Sequence, residues 1–103
     1  MSRKSLESQF KTKIAGQLTV LLPYCVLLKN DEQFMPGIPD MLILYQDRWA
    51  MLEFKRSAPR RKQDYEPNHE YYLRKFNDMA FASVIYPDNA SLVLQELVDW
   101  FHA

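Results

Sequence analysis

The sequence predicts an α/β fold of order αβββαβα, with a mixed four-stranded sheet flanked by helices. Three observations predict it. Amphipathic stretches of helical period lie near either end of the chain. Four short apolar runs, each bounded by turn residues, lie between them. A further helical stretch separates the third run from the fourth, which calls for a crossover helix and so for a mixed sheet.

The elements follow in order. Residues Ser5 to Leu22 read as a helix, because Leu6, Phe10, Ile14, Leu18, Leu21 and Leu22 recur at helical spacing. Pro23 ends it, lacking the amide proton and the space to continue. Tyr24 to Lys29 is a first strand, and Asn30 to Pro39 a polar loop. Asp40 to Tyr45 and Trp49 to Lys55 are two strands joined by a tight turn at Gln46 to Arg48, a hairpin pattern. Arg56 to Pro67 is polar and basic, hence a loop. Asn68 to Ala80 is the second helix, with Tyr72, Phe76 and Met79 on one face. Phe81 to Tyr86 is the fourth strand, Pro87 to Asn89 a turn, and Ala90 to Phe101 the last helix.

Length and composition bound the rest. The 103 residues, 48% hydrophobic and 25% charged, suit a single globular domain, residues 1–103, and exclude a wholly disordered chain. Cys25 is the only cysteine, so no internal disulfide or cysteine-rich zinc site forms, and its apolar setting suggests a buried, inert thiol. The only glycines, Gly16 and Gly37, leave no phosphate-cradling loop, so no nucleotide or other organic cofactor is expected. The apolar run from Val20 to Leu28, broken by Pro23, is too short for a bilayer, which needs about 20 residues. With no signal-peptide core after Met1, the expected location is intracellular.

The carboxylates carry the chemistry. Glu7 falls about 20° from Ile14 around the first helix, within its apolar stripe. It either points inward, where a charge needs a partner or a metal, or lies exposed or paired with Arg3 or Lys11. Centring the hairpin turn between residues 46 and 47 sets Asp40 opposite Glu53 or its near neighbour. Two carboxylates so close repel unless a cation lies between them, and oxygen-only ligands suit Mg²⁺. Glu53 and Lys55 share one strand face. Acid, acid, lysine and metal together suit phosphodiester hydrolysis, where water must be activated and negative charge shielded. The plain alternative is a surface ion-pair network.

Pro39-Asp40, twelve intervening residues and then Glu53-Phe54-Lys55 resemble the signature of the PD-(D/E)XK nuclease superfamily. The strings Gly37-Ile38-Pro39-Asp40 and Met51-Leu52-Glu53-Phe54-Lys55-Arg56 resemble its VRR-NUC branch, which includes small stand-alone bacteriophage nucleases. Residues 67–72 and 81–87 are also similar to these small members. The resemblance implies a restriction-endonuclease-like core and an Mg²⁺- or Mn²⁺-dependent DNA endonuclease. Asp40, Glu53 and the Phe54 carbonyl would hold the metal, with Glu7 as a further ligand and Lys55 positioning or activating water. Related enzymes act on branched DNA such as Holliday junctions, usually as homodimers, in the host cytoplasm where phage-encoded. One departure stands out. Related sequences carry a glutamine early in the helix after the motif, where this chain has His69, either reaching a phosphate or a metal-bound water or keeping a solvated or structural role at the helix edge.

The net charge of zero hides an asymmetry. Residues 1–13 and 55–62 hold nine basic residues and one acid, whereas the rest hold four basic and twelve acidic ones. Arg56, Arg60, Arg61 and Lys62 leave the strand of Glu53, and Lys4 and Lys11 belong to the helix of Glu7. Both groups are expected to meet DNA phosphates. Tyr65, Tyr71 and Tyr72 offer rings to unpaired bases, although Tyr72 shares the apolar face of Phe76, and Trp49 and Trp100 read as packing residues. The alternative function is a non-catalytic nucleic-acid-binding module of the same fold.

Overall fold

The computed structural model describes residues 6–59 and 68–103. Helix α1 (Leu6–Leu21) is followed by strands β1 (Val26–Lys29), β2 (Met41–Tyr45) and β3 (Arg48–Phe54). Then come α2 (His69–Met79), β4 (Phe81–Ile85), a 3-10 turn at Pro87–Asn89, and α3 (Ala90–His102). The order αβββαβα and the mixed four-stranded sheet agree with the sequence expectation. The strands lie in the order β1-β2-β3-β4. The first three pair antiparallel, and β4 joins β3 in parallel after the α2 crossover.

Each boundary has a local cause. Pro23 stops α1, and the chain reverses through Tyr24, which takes the left-handed conformation at φ 71. The Cys25 N–H donates to Leu22 O at 3.0 Å, closing that turn and delaying β1 to Val26 instead of Tyr24. β2 and β3 are joined through Gln46 and Asp47, with Gln46 at φ 56, as a tight hairpin turn demands. Asn68 precedes α2 at φ 73, a left-handed setting that asparagine tolerates better than most residues.

β3 is the centre of the molecule, and Ala50 to Phe54 are all buried. Its side chains alternate between two faces. On one, Ala50, Leu52 and Phe54 join Ile14, Leu18, Leu22, Ile43, Ile85, Val93, Leu97 and Phe101 in the apolar core beneath α1 and α3. Phe10 meets Phe54 edge-on, and Tyr45 meets Phe101 in the same way. On the other face α2 covers the sheet, with Phe76 edge-on to Trp49 and stacked on Tyr72. Packing roles for Tyr72 and the tryptophans agree with expectation, since the Trp100 indole also donates to Trp49 O at 3.1 Å. Met79, expected on the apolar face of α2, is exposed at its far end, and Cys25 is half-buried beside the core. Among the described residues no helix is long and apolar enough to cross a membrane.

Candidate metal centre

β2 begins at Met41 and β3 ends at Phe54, so Asp40 and Lys55 lie one residue beyond the strands they were expected to occupy. This brings the polar groups to the open end of the sheet. The pairing Met41 with Leu52, extended by one residue, sets Asp40 opposite Glu53. Beyond the strand end Asp40 supplies the missing acceptor, and the Phe54 N–H donates to its Oδ2 at 2.9 Å. The loop before Asp40 is pinned. The Asn30 amide donates to Pro39 O at 2.8 Å, the Asn30 N–H donates to Asp40 O at 2.9 Å, and Gly37 takes φ 91.

Glu53 is the unusual residue. It is 3% exposed, on the β3 face that α2 covers. The Asp40 carboxyl lies within hydrogen-bonding reach of it. Burial, then the hydrogen bond and charge of Asp40, push its carboxyl up to about 10; Lys55 opposes this and Glu32 adds slightly to it. Without a cation, Glu53 therefore keeps a proton at neutral pH. A divalent ion between the two carboxyls would replace that proton, and the oxygen donors present suit one.

Lys11 fills part of the same role. Its ammonium lies 3.6 Å from Glu7 and 3.9 Å from Asp40, and 5.8 Å from the Phe54 ring centroid. One helical turn after Glu7, it reaches across to the sheet end. Glu7 is likewise on the rim and not in the core. Its side chain is 41% exposed and paired with Lys11, because the first turn of α1 overhangs the end of the sheet. Glu7 borders two clefts. One, of about 520 Å³, also includes Lys11, Lys29, Asp40 and Phe54. The other, of about 620 Å³, includes Phe10, Arg56 and Pro87. Arg56 is exposed there, whereas Lys4, Arg60, Arg61 and Lys62 lie outside the described residues, as do Arg3 and Tyr65.

The sequence leaves His69 between a contact to phosphate or metal-bound water and a structural role. As a phosphate contact it would be exposed, yet it is 2% exposed with Nε2 3.0 Å from Glu53 Oε2. The signal was in the sequence: His69, Tyr72 and Phe76 share a helical face, and Phe76 packs on the sheet. Glu32 was missed altogether. It is exposed in the 30–39 loop, yet one of its oxygens lies within 4.8 Å of ligand atoms of both Glu53 and His69. No periodicity marks a loop residue for such a place.

The structure thus gathers Asp40, Glu53, Lys55, Glu7 and Lys11 at one end of the sheet, with His69 and Glu32 added. Compared with known proteins, the chain matches no family model, no curated relative and no solved structure.

Proposed function

We propose that the chain is an Mg²⁺- or Mn²⁺-dependent deoxyribonuclease that hydrolyses phosphodiester bonds, acting as a homodimer on branched DNA such as Holliday junctions. One observation carries the reading: a carboxyl buried to 3% exposure contacts a second carboxyl, with a lysine two residues on along the same strand direction. A structural ion-pair network has little use for two acids in contact at the end of a sheet. Oxygens of Asp40 and Glu53 would hold the cation, with Glu7 and the Phe54 carbonyl at its margin. A bound divalent ion supplies Lewis acidity and lowers the pKa of water. Lys55 places a positive charge where the scissile phosphate gains negative charge. Asp40 is fixed by the Phe54 N–H, so it is already oriented for ligation. Arg56, on the second cleft, lies where a phosphate backbone would approach Glu7. The phage-type, intracellular setting rests on the sequence resemblance.

The test is cleavage of labelled four-way junction, flap, single-stranded and plain duplex DNA with Mg²⁺ or Mn²⁺. Asp40→Asn, Glu53→Gln and Lys55→Met are expected to lose about 1000-fold or more in rate while still binding DNA. Full activity in any of the three overturns the site. Binding with no cleavage of any substrate by the unaltered chain points to a non-catalytic DNA-binding module.

A further inference from the structure

Glu53 has more neighbours than the nuclease reading uses. Besides Asp40, its neighbours are His69 and Glu32, which the nuclease reading leaves without a role. Among the described residues Glu53 Oε2 is fully buried and accepts no hydrogen bond, and it lies 3.0 Å from His69 Nε2. Two ligand atoms bound side by side to one ion, with bonds of about 2.1 Å, sit about 3.0 Å apart. The Nε2···Oε2 separation of 3.0 Å matches that of two neighbouring ligands of one ion. A Glu32 oxygen, a Glu53 oxygen and a His69 ring nitrogen all lie within 4.8 Å of one another. Because Glu32 is exposed, such a position opens to solvent on its side.

We infer that Glu32, Glu53 and His69 form a second cation position, for a first-row transition ion such as Mn²⁺ or Zn²⁺, sharing Glu53 with the Asp40 position. The ligand set decides the class of ion. An imidazole nitrogen suits Mn²⁺, Zn²⁺ and their neighbours, whereas Mg²⁺ prefers oxygen throughout. The two positions thus differ in chemistry: oxygen-only at Asp40 and Glu53, mixed nitrogen and oxygen at Glu32, Glu53 and His69. Glu53 would contribute to both positions, so that two ions could act together on one phosphodiester. The inference meets the nuclease reading at Glu53 but does not depend on cleavage.

The test is metal binding by the full chain, stripped of metal and titrated with Mn²⁺ and with Zn²⁺. Stoichiometry comes from calorimetry and ligation from the ¹⁴N coupling in pulsed EPR of bound Mn²⁺. The unaltered chain is expected to bind two Mn²⁺, one of them showing an imidazole nitrogen. His69→Gln and Glu32→Gln should each remove that ion or weaken it about 100-fold, and His69→Gln should abolish the ¹⁴N coupling. Asp40→Asn should lose the other ion and keep the nitrogen-coupled one. His69→Gln preserves side-chain bulk better than His69→Ala, and its fold is checked by circular dichroism. If the unaltered chain shows no ¹⁴N coupling, or if His69→Gln leaves Mn²⁺ and Zn²⁺ binding unchanged, His69 and Glu53 are a plain buried pair and the inference falls. Cleavage assays run alongside keep the two ideas apart, since inactive protein that still shows the coupling defeats only the nuclease reading.

Discussion

The two faces of β3 put neighbouring residues of one strand to opposite uses. Ala50, Leu52 and Phe54 enter an apolar core closed by α1 and α3. Glu53, between two of them, turns toward α2 and meets His69 and Asp40 with almost no solvent. One face gains free energy from every buried methylene. The other carries a desolvated carboxyl that no stable fold requires. Strand alternation keeps the two apart, so a site that weakens the fold can sit one residue from the groups that hold it together.

The largest expected effect tests the first face. Leu52 is fully buried, and Leu52→Ala should cost about 3–5 kcal/mol by lost transfer energy and the cavity left behind. Urea denaturation measures it. Cleavage per folded molecule should stay within a few-fold of the unaltered chain, since Leu52 points away from Glu53. A variant that folds but loses activity entirely would break the separation of the two faces.

The second face should respond with the opposite sign. In the metal-free protein the Glu53 carboxyl is pushed from 4.5 to about 10. The folded chain then holds a proton that the unfolded chain releases above its ordinary value. Stability from this group is complete below pH 4.5 and is lost as pH rises toward 10, with a slope of up to about 1.4 kcal/mol per pH unit. Glu53→Gln cannot ionise, so in chelator it should be the more stable protein at pH 8, and nearly level with the unaltered chain at pH 4. Melting temperatures across pH check this. Added Mn²⁺ should raise the melting temperature of the unaltered chain at pH 8 and leave Glu53→Gln nearly unmoved. A flat pH profile for the metal-free chain would show that Glu53 is not held neutral.

How much of this contrast was legible depended on range. A two-residue turn sets Tyr45 opposite Arg48, and counting back along both strands carries Asp40 to Glu53. That register could be read by eye because every step is local. Glu7 was legible as one of two alternatives, and its pairing with Lys11 decided between them. Lys11 was not, because its reach to Asp40 depends on how α1 crosses the sheet end. Glu32 was beyond reach for a stronger reason. Its loop is shaped by an Asn30 side chain bonded nine residues away, by Gly37 at φ 91 and by the Asp31 carboxyl accepting from the Gln33 N–H. None of these leaves a period in the sequence.

A smaller effect tests how the apolar face is tied to α3. Arg48 opens β3, and its guanidinium lies 4.6 Å from the Trp100 ring centroid. It donates to Trp100 O at 2.7 Å and Ala103 O at 2.8 Å, capping carbonyls at the negative end of α3. Arg48→Ala should cost about 2 kcal/mol through the lost charge-assisted bonds and stacking, and Arg48→Lys should restore only part of it. Hydrogen exchange should show the last turn of α3 opening first, while Mn²⁺ affinity stays unchanged.

The smallest effect comes from a position on neither face. Gln46 sits at φ 56 in the turn between β2 and β3. A side chain in the left-handed region costs about 1–2 kcal/mol, which glycine avoids. Glycine also makes the unfolded chain more flexible, which returns about 0.5–1 kcal/mol of that gain. Gln46→Gly should therefore stabilise the protein by about 0.5 kcal/mol, read as a higher urea midpoint with an unchanged slope. The turn lies at the opposite end of the hairpin from Asp40 and Glu53, about 17 Å along the strands. Its relief should thus leave metal binding and cleavage alone. A change in Mn²⁺ affinity in this variant would mean that the hairpin moves as one piece, so that the site's carboxyl geometry is set from its far end as well as by α2 and the 30–39 loop.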